Sequence, residues 1–317
     1  MKQLLLDNND QIPIIGLGTW QSAPGEVYQA IKEAIRIGYR HIDCAFIYRN
    51  EAEIGTAIAD CIKEGLVKRE ELWITSKLWN NAHAPEDVES TLKNTLRDLQ
   101  LDYLDLYLMH WPIALKKDVM LPSIPAAFVG PEELPITTTW KAMEELVDKG
   151  LTRHIGVSNF RIANIQKILD SCRIKPAMNQ VEMHPYLQQP ALLRFCQDKN
   201  IHITAYSPLG SKSRPSRLRT EDEPVLLEDP VINELARQHN ASPAQILLSW
   251  AVNRATAVIP KSVNPKRIQE NLASADIQLS DDDMQQIAEL DLNRRYIQGK
   301  VWYMDGSPYS EAYLWGE

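Results

Sequence analysis

Short apolar runs rich in β-branched residues alternate along the chain with longer stretches whose apolar positions recur every three to four residues, the pattern of βα units feeding a mainly parallel sheet. A hairpin is expected first, QLLLD and QIPI across the turn NND. Strands are expected at Ile14 to Leu17, Arg40 to Asp43, Leu72 to Ser76, Leu104 to His110, Ile155 to Val157, Ala177 to Val181, Ile201 to Ala205 and Ala257 to Pro260. Helix starts are punctuated by Pro85-Glu86-Asp87, Thr137 and Ser242-Pro243, residues that cap a first turn or accept its fixed φ. Eight such units predict a single α/β domain over residues 1–317, a (β/α)8 TIM barrel rather than two open sheets.

Two stretches break the alternation. Trp111 to Ile136 carries five prolines, and Ser207 to Asp229 carries Arg214, Arg217 and Arg219 followed by Glu221-Asp222-Glu223. Each follows a strand, which puts both long loops on the C-terminal rim where barrel enzymes build their sites. The basic run Lys212, Arg214, Arg217 and Arg219 reads as a solvated loop face, the alternative being contact with an anionic substrate or a strap over a cofactor. The tail from Asp291 to Glu317, with Trp302, Tyr303, Tyr309, Tyr313 and Trp315, is too aromatic for a solvated terminus and is expected to pack on the domain.

Composition narrows the function classes. With 34 basic and 42 acidic side chains the formal charge is −8, which gives no basic field for nucleic acid or anionic lipid. Cys44, Cys61, Cys172 and Cys196 show neither metal-ligand spacing nor a disulfide framework. The three-leucine stretch near the N-terminus is too short for a signal peptide, and no window approaches the ~20 apolar residues of a membrane span. A cytoplasmic location and chemistry without a metal are expected.

The candidate chemistry lies at strand ends. HIDCAFIY puts Asp43 at the rim and Tyr48 just beyond it; ITSKLW ends in the region of Lys77, and YLMHWP in that of His110. Each residue alone has an ordinary explanation: a turn aspartate, a packing tyrosine, a solvated lysine, a satisfied histidine. Three consecutive barrel strands, however, aim them into one bowl. An ammonium beside a phenol favours phenolate and lowers its pKa, so Lys77, held charged by Asp43, is expected to acidify Tyr48. Such a phenol donates to an oxygen gaining negative charge while His110 orients that oxygen, which points to carbonyl reduction by an external hydride donor.

That donor would be a dinucleotide. Gly16-Leu17-Gly18 begins like a Rossmann turn but lacks the third glycine and a following helix. The segment after the eighth strand, IPKSVNPKRIQEN, leads into a helix start bearing Lys261, Ser262 and Arg267, an anion site at the barrel's phosphate position.

Through GLGTWQS, GYRHIDCAFIYRNE, ITSKLW, LDYLDLYLMHWP, IGVSNF, NQVEMHPY, TAYSPLG and VIPKSVNPKRIQENL, in that order, almost the whole chain resembles the aldo-keto reductases, in particular the aldose and aldehyde reductase branch. The resemblance implies Tyr48 as general acid, Lys77 and Asp43 as its tuning pair, and His110 as the group that orients the carbonyl. It implies NADPH across the rim, with NADH the weaker donor. Tyr206 would stack on the nicotinamide, Ser158, Asn159 and Gln180 would bond its carboxamide, and Thr19 and Trp20 would border it. Ser207, Leu209 and Ser211 would meet the pyrophosphate. Lys261, Ser262, Val263, Asn264 and Arg267 match the 2′-phosphate positions, and Glu270 and Asn271 the adenine positions. Trp20, Trp79 and Trp111 match the aromatic substrate wall. His110 stands where the family's steroid double-bond reductases have glutamate, which favours C=O over C=C reduction. The loop SKSRPSRLR, with Ser216 where mammalian aldose reductases have tryptophan, and the tail SPYSEAYLWGE depart from the branch, so substrate preference does not carry over. The competing readings are a non-catalytic NADPH-binding or structural barrel, and a lyase or isomerase using Lys77 as a Schiff base.

Overall fold

The alternating pattern resolves, in a computed structural model that describes residues 2–220 and 223–316, into eight parallel strands surrounded by helices. Glu221 and Asp222 of the acidic run, and the side chain of Arg217, lie outside the described residues. Strands β1 (Gln3–Leu5) and β2 (Gln11–Pro13) form the expected antiparallel hairpin. The barrel strands are β3 (Leu17–Gly18), β4 (His41–Asp43), β5 (Trp73–Leu78), β6 (Leu104–Met109), then β9 (Thr152–Ser158), β10 (Met178–Glu182), β11 (His202–Tyr206) and β12 (Ala257–Val258). Between β6 and β9 the first long loop folds a small antiparallel pair, β7 (Ala114–Leu115) with β8 (Phe128–Val129).

The strands run in order β3-β4-β5-β6-β9-β10-β11-β12, and parallel bridges Ile15↔Val258 and Gly18↔Lys261 join the last strand to the first. This closure explains the two early glycines. A Cβ on Gly18 would lie 2.5 Å from the Ile259 carbonyl oxygen, and one on Gly16 would lie 2.7 Å from the His41 ring. The glycines therefore serve strand contact and not a phosphate turn. The ladder of the first barrel strand with β4 covers only Leu17 and Gly18, so β3 starts later than the expected Ile14, while Ile14 and Gly16 bond Val258 across the seam.

Helices α1 (Glu26–Ile37), α2 (Glu51–Lys63), α3 (Pro85–Leu99), α4 (Ile136–Asp148), α5 (Ile162–Leu169), α6 (Pro190–Asp198), α7 (Pro230–Gln238), α8 (Pro243–Asn253), α9 (Pro265–Ala273) and α10 (Asp281–Ala288) clothe the sheet. Ser242 caps α8 in a capping box with Gln245, as its sequence signature predicts. Helix α4 differs: it begins at Ile136 after Pro135, one residue ahead of Thr137, with no side-chain cap. The inward faces of β5 and β6 carry no exposed position, so the barrel interior is a packed core and the polar strand ends alone face a cleft. The aromatic tail packs as expected: Trp302, Tyr309 and Leu314, the last in α11 (Glu311–Trp315), are buried against Trp79 and Trp111. No described helix is long and apolar enough to cross a membrane.

Candidate active site

Strand ends β4, β5 and β6 bring the expected quartet to one floor. Asp43 ends β4, Lys77 sits one residue before the end of β5, and His110 follows β6, its N–H bonded to the Leu78 carbonyl at 3.1 Å. Tyr48 closes the short 3-10 turn Phe46–Tyr48 that follows β4. Lys77 is fully buried, and its Nζ donates to Asp43 Oδ2 and to the Cys44 carbonyl, both at 2.7 Å. The ammonium lies 5.1 Å from the Tyr48 ring centroid, and the Tyr48 and His110 rings meet edge to face at 6.2 Å.

The electrostatics differ from the expectation at one point. Tyr48 is not acidified: burial foremost, then the Asp43 carboxylate and the Cys44 thiol, push its phenol well above the usual range. The reason is that Asp43 offsets the ammonium that was to lower it, while the loss of water disfavours phenolate. His110 moves the other way, held well below the usual imidazole value by burial and then by the Lys77 charge. At neutral pH the floor thus carries a protonated phenol and a neutral imidazole.

Above them opens a cleft of ≈ 1130 Å³. Thr19 and Trp20 line it at the first strand, and Thr19 Oγ1 donates to the Asp43 carbonyl at 2.8 Å. Ser158, Asn159, Gln180 and Tyr206 line it at β9, β10 and β11. They are wired to the quartet: Gln180 Nε2 donates to Asp43 Oδ1 at 2.7 Å, Asn159 Nδ2 to the His110 carbonyl at 2.9 Å, and Tyr206 Oη to Asn159 Oδ1 at 2.7 Å. Ser158 Oγ donates to the Gln180 carbonyl at 2.8 Å. Ser207, Leu209 and Ser211 line it after β11, and Lys261 and Arg267 after β12.

The remaining phosphate-segment residues flank the cleft without lining it. Asn264 is spent on α9, accepting from the Arg267 N–H at 3.1 Å, and Ser262 Oγ accepts from the Asn264 N–H at 3.1 Å. Glu270 meets Lys266 at 3.8 Å, Asn271 is buried, and Val263 packs at the core's edge. Lys261 and Arg267 themselves form no ion pair among the described residues. Two cations without an ion pair among the described residues, polar amides and an aromatic ring, all lining one cleft, fit a phosphorylated dinucleotide.

Trp79 and Trp111 form the opposite wall with Trp302, at 5.8 and 5.5 Å between ring centroids, and Trp79 stands edge-on to His110 at 5.1 Å. Trp302 comes from the tail, whose aromatic content signals packing without naming which ring lines the cleft. The tail is fastened by Glu182 at the end of β10, which accepts from the Tyr296 and Ile297 N–H groups at 2.7 and 2.8 Å. That carboxylate stands within the stretch NQVEMHPY, but nothing beside it in sequence marks it as the group that holds the tail. Arg214 is a second correction: it is 1% exposed rather than solvated. Its guanidinium donates to the Ser211 and Leu218 carbonyls at 3.1 Å, pairs with Glu223 and covers the Tyr296 ring at 4.8 Å. Lys212 meets the expectation and pairs with Glu228 on the surface.

Comparison with known proteins agrees with this picture. Residues 14–292 match the family model described as the Aldo/keto reductase family. An aldo/keto reductase of Synechocystis sp. is 53% identical over 322 aligned positions that cover 100% of this chain and 97% of that protein. Aldo-keto reductase family 1 member A1 of Gallus gallus is 51% identical over 92% of this chain and 89% of its own length. A solved structure of the aldose reductase from Schistosoma japonicum superposes with a TM-score of 0.87 at 43% identity, covering 95% of this chain and 96% of that one.

Proposed function

The chain belongs to the aldo/keto reductase family and is an oxidoreductase, and on that premise we propose that it reduces aldehydes and ketones, aldoses among them, to alcohols with NADPH as the hydride donor. The observation that carries the proposal is the buried Lys77–Asp43 pair directly under a floor where Tyr48 and His110 face one cleft.

When bound, the dinucleotide supplies the hydride, and the protein supplies the proton and the geometry. Tyr48 holds that proton throughout the neutral range because burial keeps the phenol protonated. It is the general acid in this reading, since an alkoxide forming on the substrate is more basic even than a raised phenol. As the proton leaves, the developing phenolate meets the fixed charge of Lys77, which replaces the solvation that burial removed. Asp43 and the Cys44 carbonyl keep that ammonium in place. Neutral His110 donates a ring N–H to the carbonyl oxygen and orients it between the two groups.

The remaining assignments follow the wiring. Ser158, Asn159 and Gln180 would hold the carboxamide, Tyr206 would stack on its ring, and Lys261 and Arg267 would take a 2′-phosphate. Trp20, Trp79, Trp111 and Trp302 would shape the substrate end. The whole chain is proposed to work as one barrel domain, a cytoplasmic monomer. Consumption of NADPH absorbance with glyceraldehyde tests the activity, and Tyr48→Phe tests the acid: it is expected to abolish turnover while leaving NADPH affinity nearly unchanged. Near-normal turnover in that variant refutes the role.

A further inference from the structure

Glu51 opens α2 three residues after Tyr48, yet its side chain does not face water: it is 4% exposed. Ser76 Oγ donates to Oε1 at 2.5 Å and Thr95 Oγ1 to Oε2 at 3.1 Å. No cation pairs with it among the described residues. Ser76 directly precedes Lys77 on β5, and the alternation of strand side chains sends Ser76 out to the helix layer while Lys77 points inward. Thr95 belongs to α3. The short connection from Tyr48 to Glu51 is pinned again at Asn50, whose Nδ2 donates to the Thr19 carbonyl at 2.9 Å. A carboxyl at a helix N-terminus is easily satisfied by backbone and solvent, so burying one against two hydroxyls is a costly arrangement that calls for a reason.

We propose that Glu51 is a positioning residue for the proton donor, clamping the Tyr48 turn to the strand that carries Lys77. The inference rests on the carbonyl-reductase reading. The ionisable groups that face Glu51 are Asp98 from α3, Lys77 from β5, Cys44 from the turn after β4 and Tyr107 from β6. Burial pushes the carboxyl up to about 7. Below that value it is a neutral clamp; above it, a negative charge sits behind Lys77 and offsets part of the field that Lys77 exerts on the phenol. Turnover is therefore expected to fall as pH rises through this region, on the order of threefold.

The test is steady-state reduction of a simple aldehyde by wild type, Glu51→Gln and Glu51→Ala from about pH 6 to 8. Glu51→Ala is expected to lose about tenfold or more in kcat with KM nearly constant, since the reacting groups lose their spacing. Glu51→Gln keeps an acceptor oxygen for Ser76 and can turn its amide N–H to the Thr95 hydroxyl oxygen, so the clamp persists with one bond reversed: kcat near pH 6 is expected within about twofold of wild type and the inflection through neutrality to disappear. A carboxyl 13C resonance that titrates near neutrality in the substrate-free wild type and is missing from Glu51→Gln is the accompanying signature. Wild-type kcat in Glu51→Ala, or an unchanged inflection in Glu51→Gln, overturns the inference. If Glu51→Ala does not fold, Ser76→Ala takes its place: the same kcat-selective loss supports the clamp, and wild-type kcat refutes it. A wild-type chain that reduces no aldehyde refutes the reductase reading itself, a result distinct from a variant that merely matches wild type.

Discussion

Replacing Lys77 by methionine tests the electrostatic centre of the site without emptying it. The substitution keeps the volume but strips Asp43 Oδ2 and the Cys44 carbonyl of the ammonium that bonds both at 2.7 Å. Breaking a buried ion pair from one side costs about 3–5 kcal/mol, because the other charge is left without compensation. Asp43 keeps one donor, Gln180 Nε2 at 2.7 Å, which favours the lower part of that range. For 317 residues an unfolding entropy of about 2.1 cal/mol/K per residue gives about 0.67 kcal/mol/K, so a loss of about 3 kcal/mol lowers Tm by about 5 °C. Calorimetry of Lys77→Met and of the double variant Asp43→Asn/Lys77→Met measures this. The double variant is expected to melt higher than the single one, since both charges are then gone, while both are expected to be inactive as reductases. A single variant melting within a degree of wild type, or a double variant melting lower still, would show that the pair is not the compensated buried pair described above.

Arg267→Ala is expected to weaken NADPH binding by about 10- to 100-fold, the worth of a charge-assisted hydrogen bond, and to leave NADH within about twofold. Equal losses, measured by fluorescence titration with both nucleotides, would remove the 2′-phosphate from the assignment. Acid stability should follow His41 and His83, which burial lowers to about 4 and about 3. The unfolded state binds their protons first, so stability declines as pH falls from about 6.5 toward 4, by about 3 kcal/mol for His41 alone. Glu51, raised to about 7, acts in the opposite sense between about 4.5 and 7, whereas His110 and His202, which burial also lowers, act in the same sense as His41 and His83. Urea midpoints that stay flat across this window would contradict the burial of those imidazoles in their neutral form.

The quartet was legible because barrel strands converge at their C-terminal ends, so placing Asp43, Lys77 and His110 near strand ends was enough to bring them together. Burial was not legible in the same way. From sequence the ammonium near Tyr48 argues for an acidified phenol; the desolvation that reverses the sign belongs to the assembled walls. Arg214 has the composition of a solvated loop, and its buried seat combines Ser211, Leu218 and Glu223 of its own loop with Tyr296 far along the chain. The Glu182 clamp likewise spans 114 positions to Tyr296, a distance at which no periodicity or spacing rule applies. The tail's aromatic content was a sound sign of packing, since such a segment gains more by burying its rings than it loses in entropy.

The distribution of charge gives the fold a way to attract its proposed cofactor. The chain as a whole carries −8, a sign that repels a polyanionic dinucleotide. Among the described residues that line the cleft, Arg219, Lys261, Arg267 and Lys300 are cationic together with Lys212, which pairs with Glu228, whereas the sole carboxylate, Asp43, is bound to Lys77. The cleft therefore inverts the sign of the surface around it, and low-dielectric walls concentrate that local field. The floor is different: a protonated phenol and a neutral imidazole carry no charge of their own, so a carbonyl can approach without competing for a counter-ion. In the proposed reading one region attracts by charge and the other reacts while neutral, and the buried Lys77, bonded to Asp43, would act on the phenolate as that charge develops.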